Sequence, residues 1–214
     1  MTELKPQPQQ RTHEDAPGVA RLIALSDGIY AIAMTLLVID LAVPAGLNDA
    51  AFHRALSDEL PSLGAFALSF TLLSGFWRDQ RRILATLPVD SFVITELILL
   101  GLGLVALLPF PTGLLAEYAS QPDAVALYAG AMAAIHAVHT TLLLLTQRQV
   151  HPTPTAPDAV ARRRLAAQLG SSVLIFGLSI PLAYVNTNAA MWFWIVLVPT
   201  HFVLGRFPRR VPHE

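Results

Sequence analysis

Cysteine is absent from the chain, which excludes a disulfide framework and any thiolate chemistry. Charge is scarce too. Asp, Glu, Lys and Arg make up 14% of the 214 residues, where a soluble domain carries about 25%. No HExxH, no phosphate-cradling glycine loop and no nucleophile–base pairing occurs, so no enzyme chemistry is signalled. The net charge of −1 comes with no basic domain large enough to bind nucleic acid. A basic-then-apolar leader is also missing from the N-terminus, so the first apolar stretch is expected to stay in the mature protein.

What remains is apolar and gathered in blocks. Hydrophobic residues make up 54% and the mean hydropathy is +0.53. The fold class is therefore all-α, a polytopic membrane protein of six transmembrane helices in one six-helix unit. The spans fall at about Leu22–Val43, Leu63–Trp77 (or from near Leu56), Phe92–Phe110, Ala124–Thr146, Leu165–Val185 and Ala189–Leu204. The third stops at Pro109-Phe110-Pro111, and Pro181 is the one clear breaker within a span. Residues 1–20 are polar and proline-bearing and read as a disordered cytoplasmic tail. The six-helix transmembrane domain then occupies 21–207, with a short cytoplasmic tail over 208–214. The loop over 45–61 has room for a short surface helix.

Basic residues set the orientation. Thirteen of the 14 Lys and Arg residues fall before span one, between spans two and three, between four and five, and after six; Arg54 alone falls on the other side. The positive-inside rule then puts both termini in the cytoplasm of a multi-pass cell-membrane protein.

The most informative stretch is Arg21 to Pro44, RLIALSDGIYAIAMTLLVIDLAVP. At about 1.5 Å per residue, Leu22–Val43 extends roughly 33 Å, enough to cross hydrocarbon. A carboxylate at the centre of such a helix costs about 2.5–3.5 kcal/mol on insertion scales, which places Asp27 nearer one end, within reach of water or a partner. From Gly28 to Ile39 no residue is charged. Ile32, Leu36 and Ile39 recur at i, i+4 and i+7 and so share a helix face.

Arg21-x-x-x-Leu25-Ser26-Asp27-Gly28, followed by Ala31-Ile32-Ala33-x-Thr35-Leu36-Leu37, resembles the first-helix signature of the transmembrane protein 175 family of lysosomal and endosomal potassium channels and their prokaryotic relatives. The family pattern has Phe where Leu25 stands. Leu108-Pro109-Phe110-Pro111-Thr112-Gly113-Leu114-Leu115 resembles the end of the family's third helix, and the six-helix layout extends the likeness over nearly the whole chain. One departure stands out. The family shows Trp-x-x-His after its second helix, whereas here Trp77 is followed by Gln80, which puts in question any polar network that depends on a histidine there.

The resemblance implies a potassium-permeable cation channel with no carbonyl-lined selectivity loop, and no TVGYG-like stretch occurs. It implies a homotetramer in the lipid bilayer, with the first helix of each subunit lining a central pore for monovalent cations and no cofactor beyond the permeant K⁺. By position relative to Asp27, Ile32 matches the family's constricting isoleucine and Thr35 its first-helix threonine. Ile32, Thr35, Leu36 and Ile39 are then pore-lining; Arg21, Ser26, Asp27 and Gly28 form the network that anchors the helix; Asp40 stands at the outer mouth. Plainer readings exist for each. The apolar stripe also suits lipid or packing, Arg21 suits headgroups, Gly28 suits close helix approach, and the Thr35 hydroxyl can bond back to the Ala31 carbonyl.

A second functional class uses the same residues differently. A proton-coupled secondary transporter or small membrane enzyme would employ Asp27, Glu96, His136 and His139, but no internal repeat supports it. His136 and His139 are spaced to share a metal, yet two imidazoles without a nearby third carboxylate make a thin site. Glu96 reads as a partner for a cytoplasmic arginine. Trp192, Phe193 and Trp194 read as an interfacial aromatic belt.

Overall fold

The computed structural model describes residues 17–39, 41–84, 92–149 and 156–195. Its elements are α1 (Pro17–Leu36), α2 (Asp49–Asp58), α3 (Leu60–Leu84), α4 (Phe92–Leu107), α5 (Pro109–Glu117), α6 (Pro122–Gln149), α7 (Ala156–Val185) and α8 (Thr187–Ile195). They make six helical passes, because α2 runs into α3 and α4 into α5. Among the described residues, four passes have the length and hydropathy to cross a membrane: Asp49–Leu84, Phe92–Glu117, Pro122–Gln147 and Arg163–Val185. The other two are α1 and α8.

Several boundaries differ from the sequence reading. Helix α1 begins at Pro17, inside the stretch read as a tail, and ends at Leu36 rather than Val43. Beyond Leu36 the backbone tightens: the amides of Val38, Ile39 and Leu41 bond to the carbonyls of Thr35, Leu36 and Val38, three residues back. Pro44 also disfavours helix at the residue before it, so the α-helix cannot run on to Val43. Its 20 residues still extend about 30 Å, the thickness of the hydrocarbon core. Helix α3 continues past Trp77 to Leu84 and buries Asp79, Gln80, Ile83 and Leu84.

The third pass does not stop at the prolines. After Leu108, whose amide bonds to the Val105 carbonyl at 3.2 Å, the chain restarts as α5 with proline in its first turn. Proline is harmless there, because the first amides of a helix lack intrahelical partners anyway. At the other end of the chain Asn186 joins α7 to α8. Its amide donates to the Leu182 carbonyl at 2.8 Å, and its side chain accepts from the Ala189 amide at 3.0 Å, closing one helix and capping the next.

Helix α6 is the hub, packing against α3, α4, α5, α7 and α8. Val125, Tyr128, Ala129, Met132, Ile135 and Leu142 are buried along it. Helix α4 approaches α6 through Gly101, where a Cβ would lie 3.1 Å from Val138 Cγ1; glycine thus lets the two backbones come close. A hydroxyl cluster ties three elements elsewhere in the core: Ser69 Oγ lies 3.0 Å from both Thr112 Oγ1 and Tyr128 OH. The aromatic belt expected at the last helix is corrected by half. Trp192 is exposed, but Trp194 is buried, packs against Tyr128 and donates its indole N–H to Ser179 Oγ at 2.9 Å.

Candidate functional site

Helix α1 has two unlike faces. Ser26, Tyr30, Ala33 and Leu37, spaced four, three and four apart, are buried against the rest of the chain. On the opposite side Arg21, Leu25, Gly28, Ile32, Thr35 and Leu36 are exposed, Ile32 at 60%. At about 100° per residue, Ile32 and Leu37 point about 140° apart around the axis. Ile39 is 70% exposed but sits in the turn after the helix. The predicted stripe is therefore helical through Leu36 and continues past it by a turn. Asp40 lies outside the described residues.

Of the four residues assigned to the helix-1 network, the structure brings two, Ser26 and Asp27, into polar contacts with other helices. Ser26 Oγ accepts from Gln80 Nε2 at 3.4 Å, and Gln80 Oε1 accepts from His139 Nε2–H at 2.7 Å. The Tyr30 hydroxyl lies 3.4 Å from that same nitrogen. All four side chains are buried. Gln80 thus spans α1 and α6 with both ends of its amide. With glutamine rather than histidine three residues after Trp77, a buried polar network still joins α1 and α3, and it includes a histidine from α6.

Asp27 has a separate set of partners. Trp77 Nε1–H donates to its Oδ1 at 2.7 Å, and Arg81 Nη1 lies 3.6 Å from Oδ2. The Arg81 guanidinium also covers the Trp77 ring, 5.3 Å from its centroid. Arg81 and Asp27 are 51% and 39% exposed, so the ion pair is solvent-screened and weak beside the short indole bond. A groove of about 620 Å³ opens next to them between α1 and α3, lined in part by Asp27, Tyr30, Met34 and Trp77. Arg21 and Gly28 stay outside both clusters on the open face. Among the described residues Gly28 makes no close helix approach, since a Cβ there would meet nothing within 4 Å.

The Thr35 hydroxyl donates to the Ile32 carbonyl at 2.8 Å, three residues back rather than to Ala31. With its proton turned onto the helix, the oxygen lone pairs face outward on the open face. The histidines of α6 diverge. His136 Nδ1 bonds to the Met132 carbonyl at 2.9 Å and its ring packs on Phe76 and Phe176, whereas His139 turns to Gln80. Among the described residues no group of three or more His, Asp or Glu stands where it could hold a metal ion. Glu96 is exposed on α4, outside these contacts.

Sequence reasoning missed Tyr30 and Trp77 as members. Asp79 is buried and receives Arg82 at 3.3 Å. One signal was available: Ser26 and Tyr30 share a face with Ala33 and Leu37, and polar groups on a buried face need partners.

Residues 21–109 match the family described as the endosomal/lysosomal potassium channel TMEM175. A potassium channel of Streptomyces collinus is 31% identical over 170 residues, covering 78% of this chain and 82% of that one. The chain belongs to the TMEM175 family. A potassium channel of Chamaesiphon minutus is 36% identical over 127 residues, 57% of this chain and 63% of the relative. The crystal structure of a lysosomal potassium-selective TMEM175 homologue from Chamaesiphon minutus superposes with a TM-score of 0.76 at 25% identity, covering 89% of this chain and all of that one. The potassium channel MtTMEM175, as a threonine-to-alanine variant bound to a nanobody fusion, shares the fold at a TM-score of 0.61 and 16% identity over 96% and 98% of the two chains. This TMEM175 protein is thus of a potassium channel family and not an enzyme. The family match takes in Ser26, Asp27, Trp77, Gln80 and Arg81 but stops before His139.

Proposed function

We propose that this TMEM175 protein is a potassium-permeable channel of the cell membrane, built from four copies whose α1 helices surround a central pore with a hydrophobic constriction at Ile32. The observation that carries this reading is the open face of α1. Leu25, Gly28, Ile32, Thr35 and Leu36 stay exposed while the opposite face is buried in the subunit's own core. Between Gly28 and Ile39 that face has no charge. One α1 helix cannot enclose a pore by itself, so a pore lined by α1 needs several copies around an axis.

The physics of the constriction follows from its side chains. An ion among four isoleucines loses its hydration without gaining ligands, at a cost of several kcal/mol. Such a ring closes a pore by dewetting. Thr35, one helical turn away, offers oxygens that replace part of the hydration shell, and Asp40 at the outer mouth draws cations in. Both termini are cytoplasmic, residues 21–207 form the channel domain, and the permeant ion is K⁺ with no resident cofactor.

The test is paired. Purified protein in detergent is weighed for its assembly mass, and the same preparation in liposomes is assayed for K⁺ flux. A tetramer that passes K⁺ supports the reading; a monomer, or a tetramer without K⁺ flux, overturns it.

A further inference from the structure

We propose that Arg21 forms a ring of positive charge at the cytoplasmic mouth of the pore and sets its conductance by thinning the local cation supply. This deepens, and rests on, the pore reading above. Three observations place the residue. Arg21, Leu25, Gly28 and Ile32 are spaced four, three and four apart within α1, so they lie along one face. All four are exposed, and no contact draws Arg21 into the clusters that hold Ser26 and Asp27. Asp27, the nearest acid on α1, is turned about 140° away from Ile32 and is engaged by Trp77 and Arg81. Among the described residues of the open face of α1, Arg21 therefore carries the one charge.

A four-fold axis beside that face gathers four guanidiniums where cations enter from the cytoplasm. Eleven residues of helix put this ring about 16 Å from Ile32, beyond the screening length of about 8 Å at physiological salt. At that ionic strength its field acts on ions waiting at the mouth rather than at the dry constriction, and because it acts on charge alone it does not distinguish K⁺ from Na⁺. The signature is a salt-dependent conductance with unchanged K⁺/Na⁺ selectivity, which an arginine that only snorkels to headgroups does not produce.

The experiment uses the full chain in planar bilayers. In about 0.01 M KCl, where the screening length is about 30 Å, Arg21→Gln is expected to raise K⁺ conductance about two-fold or more; in about 1 M KCl, where it is about 3 Å, the gain disappears. Arg21→Lys keeps the wild-type value. Because the protein has no native cysteine, charge can also be altered after assembly. Arg21→Cys is treated from the cytoplasmic side with a cationic trimethylammonium or an anionic sulfonate methanethiosulfonate. The cationic adduct lowers the current and the anionic one raises it. Equal effects of the two adducts, a gain that persists in high salt, or a changed K⁺/Na⁺ ratio overturns the proposal. Ile32→Asn is run beside these variants. If it raises current while the Arg21 variants are silent, the pore reading stands and the charge ring falls; if both are silent, both fall.

Discussion

Gln80 accepts a 2.7 Å hydrogen bond from His139, a residue 59 positions away on α6, and donates to Ser26 on α1 with the other end of the same amide. The direction of the chain is set by chemistry. The amide oxygen only accepts and the amide nitrogen only donates, so His139 must carry its proton on Nε2. One side chain thus fixes the rotation of the proposed pore helix against the hub of the bundle.

That link predicts a coupling. Gln80→Leu takes the short acceptor from the buried His139 N–H and leaves it only the Tyr30 hydroxyl at 3.4 Å, and His139→Phe leaves the Gln80 oxygen unpaired; each is expected to cost about 1–3 kcal/mol. The double variant should cost less than the sum by about 0.5 kcal/mol or more, because the two residues share one bond. Thermal unfolding in detergent measures all four corners of the cycle, and strict additivity would dissolve the link.

Ile32 and Leu37 should respond oppositely to substitution. Ile32→Asn keeps a similar volume on the open face, admits water and raises resting cation conductance. Leu37 is 5% exposed, so Leu37→Asn buries an amide and lowers the yield of folded protein by destabilising it about 1–3 kcal/mol. Current per folded channel should change far less at 37 than at 32. Bilayer recordings normalised to the tetramer peak make the comparison, and equal effects per channel would mean that α1 is rotated from this orientation.

Thr35→Ala removes a hydroxyl whose proton is already committed to the Ile32 carbonyl. Helix stability should therefore change by less than about 1 kcal/mol, since an exposed back-bond to the helix adds little. The K⁺/Na⁺ permeability ratio should fall, because the outward lone pairs are lost as ion ligands. Reversal potentials under bi-ionic conditions give the ratio. An unchanged value would assign Thr35 to helix packing.

Orientation is open to labelling in a chain with no cysteine of its own. Single cysteines at Arg78 and Arg82, both exposed near the end of α3, should resist an impermeant thiol reagent applied to intact cells. A cysteine at Arg54, exposed on α2, should react. Labelling from outside at 78 or 82 would invert the topology.

The membrane class and the six helical passes were legible in the sequence, because hydropathy and charge act locally and report directly on the solvent a segment meets. Even the two faces of α1 were half readable, since Ile32 and Leu36 recur at helical spacing. Boundaries were less so. Whether Pro109 stops a helix or begins one depends on which amides are unpaired there, and nothing in the composition around Pro109 says so. The partners of Ser26 and Asp27 were beyond reach for a stronger reason. Hydrogen bonds act over about 3 Å, and the partners concerned, Trp77, Gln80 and His139, are brought together by the packing of α3 against both α1 and α6. A glutamine in place of a histidine reads as a loss along the chain. In three dimensions the glutamine is itself a bridge, bonded at one end to a histidine of another helix.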